Sequence, residues 1–124
     1  MAGFPEGLTD SLDRISPRHV FEARIQIRLD RDGEKFSLPG WARDLSESGL
    51  SAFAAEALAL GELVTLEIPL SDSGQITIPS KVSRALGTEY GFQFTALSAE
   101  QRGLIRKALK GHAIIPFEAN RRAL

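Results

Sequence analysis

The sequence predicts a mainly β protein, a small antiparallel barrel of about six strands followed by one α-helix. Short stretches alternate apolar and polar residues with a period of two, clusters of Gly, Asp and Ser separate them, and one helical period follows near the C-terminal end. Antiparallel strands at this spacing favour closure, because a closed barrel leaves no exposed edge.

Residues 1–13 mix Gly, Pro, Ser and acidic residues without either period, as a mobile lead-in would. The first strand is predicted over Phe21 to Leu29, with Phe21, Ala23, Ile25, Ile27 and Leu29 on one face and Glu22, Arg24, Gln26 and Arg28 on the other. The run Asp30, Arg31, Asp32, Gly33 is a turn signal. Phe36, Leu38, Gly40 and Ala42 then resume the alternation in a hairpin partner ending near Asp44. Trp41 falls in the opposite phase, which suits an exposed aromatic or a barrel-end packing residue. A short strand at Leu50 to Phe53 precedes an Ala-rich connection. Leu63 to Leu70 follows, with Val64, Leu66, Ile68 and Leu70 inward.

After Ser71 to Gly74, the chain returns as Gln75 to Val82, where Pro79 implies an edge or a bulge. Glu89 to Phe94 completes the strands. Ser98 followed by Gln101 forms a capping-box signature, Leu104, Ile105, Ala108 and Leu109 make an apolar stripe, and Gly111 ends the helix. The domain proper is expected over 14–111. Residues 112–124 form a tail whose docking the sequence leaves open.

A chain of 124 residues has room for one domain, and its 43% hydrophobic and 25% charged content is that of a globular protein. The formal net charge of -1 gives no footprint for long nucleic acid. Any anion site must therefore be local, and the Arg14 to Arg31 stretch offers one, although Arg24, Arg28 and Arg31 also suit a solvated strand face. The chain has no Cys, and its His19 and His112 are far apart, which argues against thiolate chemistry and a histidine-built metal site or triad. No nucleophile elbow or phosphate loop is present, and the Asp44 and Glu47 carboxylates lie in a turn without a visible base partner. A binding protein is expected, not an enzyme. With neither a signal-peptide pattern nor a run of about 20 apolar residues, the expected location is the cytoplasm, without membrane insertion.

Two motifs carry the functional reading. Arg14-Ile-Ser-Pro-Arg18 is an R-x-x-x-R placed just before the first strand, and Asp44-Leu-Ser46-Glu-Ser-Gly49 is a D-x-S-x-x-G at the turn after the second. Arginine forks hold phosphate oxygens or guanine O6 and N7 bidentately. Asp44 can accept the N–H groups of a guanine edge, and the Ser46 hydroxyl can donate and accept. Gly49 fits a backbone role, through positive φ or close approach.

In this order and at these positions the motifs resemble the PilZ domain family, with the likeness running from about Arg14 to Lys110 and including the Tyr90-Gly-Phe-Gln-Phe94 strand before a Ser-capped helix. The resemblance implies a six-stranded barrel with a C-terminal helix and cyclic di-GMP as ligand, bound by Arg14, Arg18, Asp44, Ser46 and Gly49, with no cofactor or metal. Asp13 stands where many family members carry a further arginine, which implies one ligand molecule per domain; the neighbouring Arg43 could restore some of the lost charge. Binding would order Arg14 to Arg18 and so change what an effector protein meets. Two other readings are a PilZ-fold interaction module without nucleotide binding and a generic small-barrel binder of oligonucleotide or carbohydrate. The second calls for a continuous basic groove with stacking aromatics, which the sequence does not show.

Overall fold

The computed structural model describes residues 16–70 and 74–115. Its elements run β1 (His19–Arg31), β2 (Glu34–Leu45), β3 (Gly49–Ala54), β4 (Leu63–Leu70), β5 (Gly74–Leu86), β6 (Glu89–Phe94) and helix α1 (Ala99–Ala108). The strands close into an antiparallel barrel in the order β1-β2-β3-β6-β5-β4. The expected fold class and each expected strand are present.

The β1–β2 hairpin follows from its two-residue loop. Asp32 and Gly33 take φ of 55° and 82°, and the paired Arg31 and Glu34 flank them. Positive φ at both loop residues matches the right-handed twist of the strands, and the Asp-Gly pair adopts it at little cost. Inward residues of every strand merge into one core, with Ile25, Ile27, Leu66, Ile68 and Ile78 at its centre and Ile105 and Leu109 of α1 joining it. The Ser98 capping box starts α1, and Gln101 also donates to the Thr77 carbonyl oxygen at 3.0 Å, tying the helix to β5.

Pro79 lies inside a strand that has neighbours on both sides, and no register shift falls at it. Its carbonyl accepts from the Thr95 amide at 2.9 Å, just beyond the end of β6. The missing N–H therefore faces the place where the ladder stops, so the proline behaves as a local edge within a closed barrel.

Three register shifts interrupt the regular pairing, at Val20/Ala23, Ala42/Asp44 and Val82/Arg84. Each inserts a residue and reverses which face the following side chains occupy. Ala42 and Leu45 are both fully buried in the core, so Asp44 between them is turned to the outside of the barrel. The shift before Arg84 likewise puts it opposite Gly91, on the outer side between inward Tyr90 and Phe92.

Residues 112–115, beyond the helix, dock on the start of β1. Val20 donates to the Ala113 carbonyl oxygen, Ile115 donates to that of Arg18, both at 2.8 Å, and His19 and Ile114 form a β-bridge. The Val20 carbonyl can only accept, so His112 Nδ1, 2.7 Å away, donates to it, while the imidazole packs against Phe21. Residues 112–115 thus hold the backbone at the entry to β1.

Candidate functional site

The two outward-turning shifts build a polar row across four strands. Asp44 of β2 pairs with Ser51 of β3, Ser51 with Gly91 of β6, and Gly91 with Arg84 of β5. Arg18, just before β1, closes the row from the other side. Its Nε donates to Asp44 Oδ1 at 3.1 Å and its Nη2 to Asp44 Oδ2 at 2.7 Å. Such a fork-to-carboxylate geometry is specific to arginine.

Ser51 Oγ joins the two cationic side chains. It accepts from Arg18 Nη2 at 3.2 Å and from Arg84 Nη2 at 3.1 Å. Arg84 reaches it by crossing Gly91, where a Cβ would stand 3.1 Å from Arg84 Nε and 3.2 Å from its Cβ. Two guanidiniums therefore converge beside a single carboxylate, and among the described residues Arg84 has no ion pair. The excess positive charge suits an anion, and Asp44 retains acceptor capacity for donors of a ring edge.

The other expected site residues sit as follows. Arg14 lies outside the described residues. Ser46 is buried and faces into its own turn, where Oγ accepts the amides of Ser48 at 3.1 Å and Gly49 at 3.2 Å. Its hydroxyl builds the loop that carries Asp44. Gly49 has no positive φ; a Cβ there would come within 2.3 Å of the Phe92 carbonyl oxygen, so close approach of β6 requires the glycine. Glu47, at a variable position of the motif, receives Arg106 Nε at 2.9 Å and Nη2 at 3.1 Å. That hydrogen-bonded pair, aided by the nearby charges of Arg106 and Arg102, holds the Glu47 carboxyl below the ordinary range against the opposing effect of its partial burial.

Arg28 and Arg31 serve the strand face, pairing with Glu67 and Glu62. Arg43 is exposed, with its guanidinium over the Phe53 ring 5.3 Å from the centroid. A groove lined by Arg28, Phe36, Leu63 and Pro79 lies toward the opposite end of β1 and β2, away from Asp44. Sequence reasoning missed Ser51 and Arg84. An outward glycine in the Tyr90-Gly91-Phe92 run is the signal for Arg84, since it leaves space over the strand, but the register shift hides which residue fills it.

A family model described as the PilZ domain matches residues 13–111. The chain belongs to the PilZ domain family. Among solved structures it is similar to the PilZ domain of CeSA from a cellulose-synthesizing bacterium, with 20% identity and a TM-score of 0.58 over 76% of this chain and 95% of that one. The PilZ domain with c-di-GMP of YcgR from Escherichia coli gives 15% and 0.59, over 86% and 90%. MrkH of K. pneumonia in its apo state gives 21% and 0.55 over 85% of this chain, which spans about half (52%) of that protein. At these identities the likeness shows the shared PilZ fold. No curated protein matches the chain.

Proposed function

We propose that this PilZ domain is a receptor for cyclic di-GMP, without catalytic activity of its own, acting in the cytoplasm through an effector protein. The observation that carries the reading is the convergence of Arg18 and Arg84 on Ser51 beside Asp44. The ligand's two phosphodiesters and two guanines need both halves of that chemistry. Guanidiniums take phosphate oxygens or guanine O6 and N7, and a carboxylate takes the N1–H and 2-amino donors that adenine lacks. The YcgR structure, solved with c-di-GMP, supports the ligand assignment. Among the described residues no helix is long and apolar enough to cross a membrane, and no group of acidic and histidine side chains is arranged to hold a metal ion.

In this reading Arg14 and Arg18 clamp the ligand, Arg84 adds the cation on the far side, and Ser46 and Gly49 shape the turn that presents Asp44. Arg18 already occupies Asp44, so ligand entry requires the guanidinium to turn from the carboxylate toward the ligand. The same closed pair suits the second reading, an interaction module in which the pair is purely structural.

Calorimetric titration separates the two. The receptor binds cyclic di-GMP with one ligand per domain and prefers it over cyclic di-AMP by at least several-fold, the cost of leaving an acceptor unpaired being about 1–3 kcal/mol. Arg84→Ala lowers that affinity about tenfold or more while leaving the melting temperature nearly unchanged. Absence of heat with cyclic di-GMP, or equal affinities for the two nucleotides, overturns the reading.

A further inference from the structure

Beside the polar row runs a second outward row that the proposed site leaves unused. In it Trp41 of β2 pairs with Arg24 of β1 on one side and with Phe53 of β3 on the other. Gly40 and Ala42, which flank Trp41 in the chain, take inward positions. Ala42 is fully buried, and a Cβ on Gly40 would stand 3.0 Å from Ile27 and 3.2 Å from Ile25 of the core. Trp41 therefore lies on the outside of the barrel, 46% exposed. On β3 the inward residues are Leu50, Ala52 and Ala54, so Ser51 and Phe53 share the outer face.

The register sets the distance between the two rows. Asp44 pairs with Ser51, and Trp41 with Phe53, two residues further along β3, which is about 7 Å of strand. A purine spans a comparable length from its Watson–Crick edge to its imidazole ring. A guanine whose N1–H and 2-amino groups meet the Asp44 carboxylate can thus extend over Trp41. Phe53 already carries the Arg43 guanidinium, 5.3 Å from its ring centroid, whereas among the described residues Trp41 has no aromatic or cationic partner on its ring. Arg24 and Arg43 border the indole, both exposed, and among the described residues neither forms an ion pair. The carboxylate of the row, that of Glu89, stands beyond Phe53. An occupant with a flat aromatic face and negative charge suits this arrangement, the base meeting the indole and a phosphodiester the free guanidiniums.

We propose that Trp41 contacts the ligand, its indole serving as the platform on which the guanine held by Asp44 stacks. This role rests on the cyclic di-GMP reading, and its test separates the two. Trp41 is the only tryptophan, so its emission reports on the platform directly and needs no variant. Titrating the full chain with cyclic di-GMP quenches that emission, with the same midpoint as the heat measured by calorimetry. Trp41→Ala lowers the affinity at least about fivefold, the loss expected for a base deprived of its aromatic platform, and leaves the melting temperature nearly unchanged. Trp41→Phe, which keeps a stacking ring, recovers most of the affinity.

Binding heat with unaltered Trp41 emission, or wild-type affinity in Trp41→Ala, overturns the stacking role and leaves the receptor reading standing. Absence of heat at every ligand concentration removes both. Emission that shifts with protein concentration and not with cyclic di-GMP also overturns the role, since the indole would then belong to a protein contact.

Discussion

Arg18 and Asp44 are joined by a two-point ion pair, at 3.1 Å and 2.7 Å, across 26 residues of sequence. The pair links the R-x-x-x-R segment to the D-x-S-x-x-G turn. Asp44 is 6% exposed, whereas the Arg18 side chain keeps 33% of its surface in water. The arginine is therefore the partner that can leave, and the carboxylate is the one that suffers from its loss.

Arg18→Ala is expected to lower stability as well as ligand affinity. A buried carboxylate deprived of its partner costs about 1–3 kcal/mol, moderated here because water can enter where Arg18 stood. Urea denaturation of the single variants and of Arg18→Ala/Asp44→Ala measures the coupling. The double variant should lose less than the sum of the singles; strict additivity would show that the pair contributes nothing to the fold.

Gly49→Ala is expected to destabilise the domain by about 1–3 kcal/mol, as overpacking does. The added methyl would collide with the carbonyl oxygen of Phe92, which is backbone and cannot rotate aside. The β3–β6 pairing must then part locally, carrying Asp44 and Ser51 with it. A lowered urea midpoint at constant m-value checks this, and an unchanged midpoint would mean that β6 moves freely.

Most of the barrel was legible because its strands are half-buried and alternate plainly; Val64, Leu66, Ile68 and Leu70 all point inward as their spacing requires. The site was less legible for a physical reason. Alternation assigns Asp44 to the same face as Ala42 and Arg84 to that of Val82, and at both places an inserted residue reverses the assignment. Short-range pattern also gives no sign that 112–115 return to β1, because that contact is a few backbone hydrogen bonds over about 90 residues. The motif residues were found by resemblance, whereas Ser51 and Arg84 depend on cross-strand register, which the sequence does not display.

Acid should loosen the motif turn. The Glu47 carboxyl is held below its ordinary value chiefly by the Arg106 hydrogen bonds, and the Glu62 carboxyl by those of Arg31. Groups lowered on folding contribute stability that is fully present above the unfolded value, near 4.5, and is lost as pH falls through the folded value. Melting temperature should therefore decline below about pH 4.5, and Glu47→Gln should flatten part of that decline. An identical decline in the variant would show that the Arg106 pair is too solvated to matter.

Hydrogen exchange should divide the entry to β1 at Arg18. The Val20 amide bonds to Ala113, and the Ile115 amide to Arg18, so both should exchange slowly without ligand. If cyclic di-GMP draws the arginine segment onto the barrel, the added protection should fall on residues 14–16, where it would neutralise the Arg14 cation, and hardly on the residues from Val20 onward. Pro17 has no amide and marks the division in the peptide map. The 112–115 segment gives the division a mechanical basis, since it holds the backbone of Arg18 from behind while the Arg18 side chain keeps a third of its surface in water. Deleting residues 112–124 should then speed exchange at Val20 and reduce ligand affinity, because Arg18 would lose its fixed backbone. Protection of Val20 that survives the deletion would show that the barrel alone fixes this end of β1, and unchanged exchange at 14–16 on adding ligand would remove the proposed route from binding to an effector.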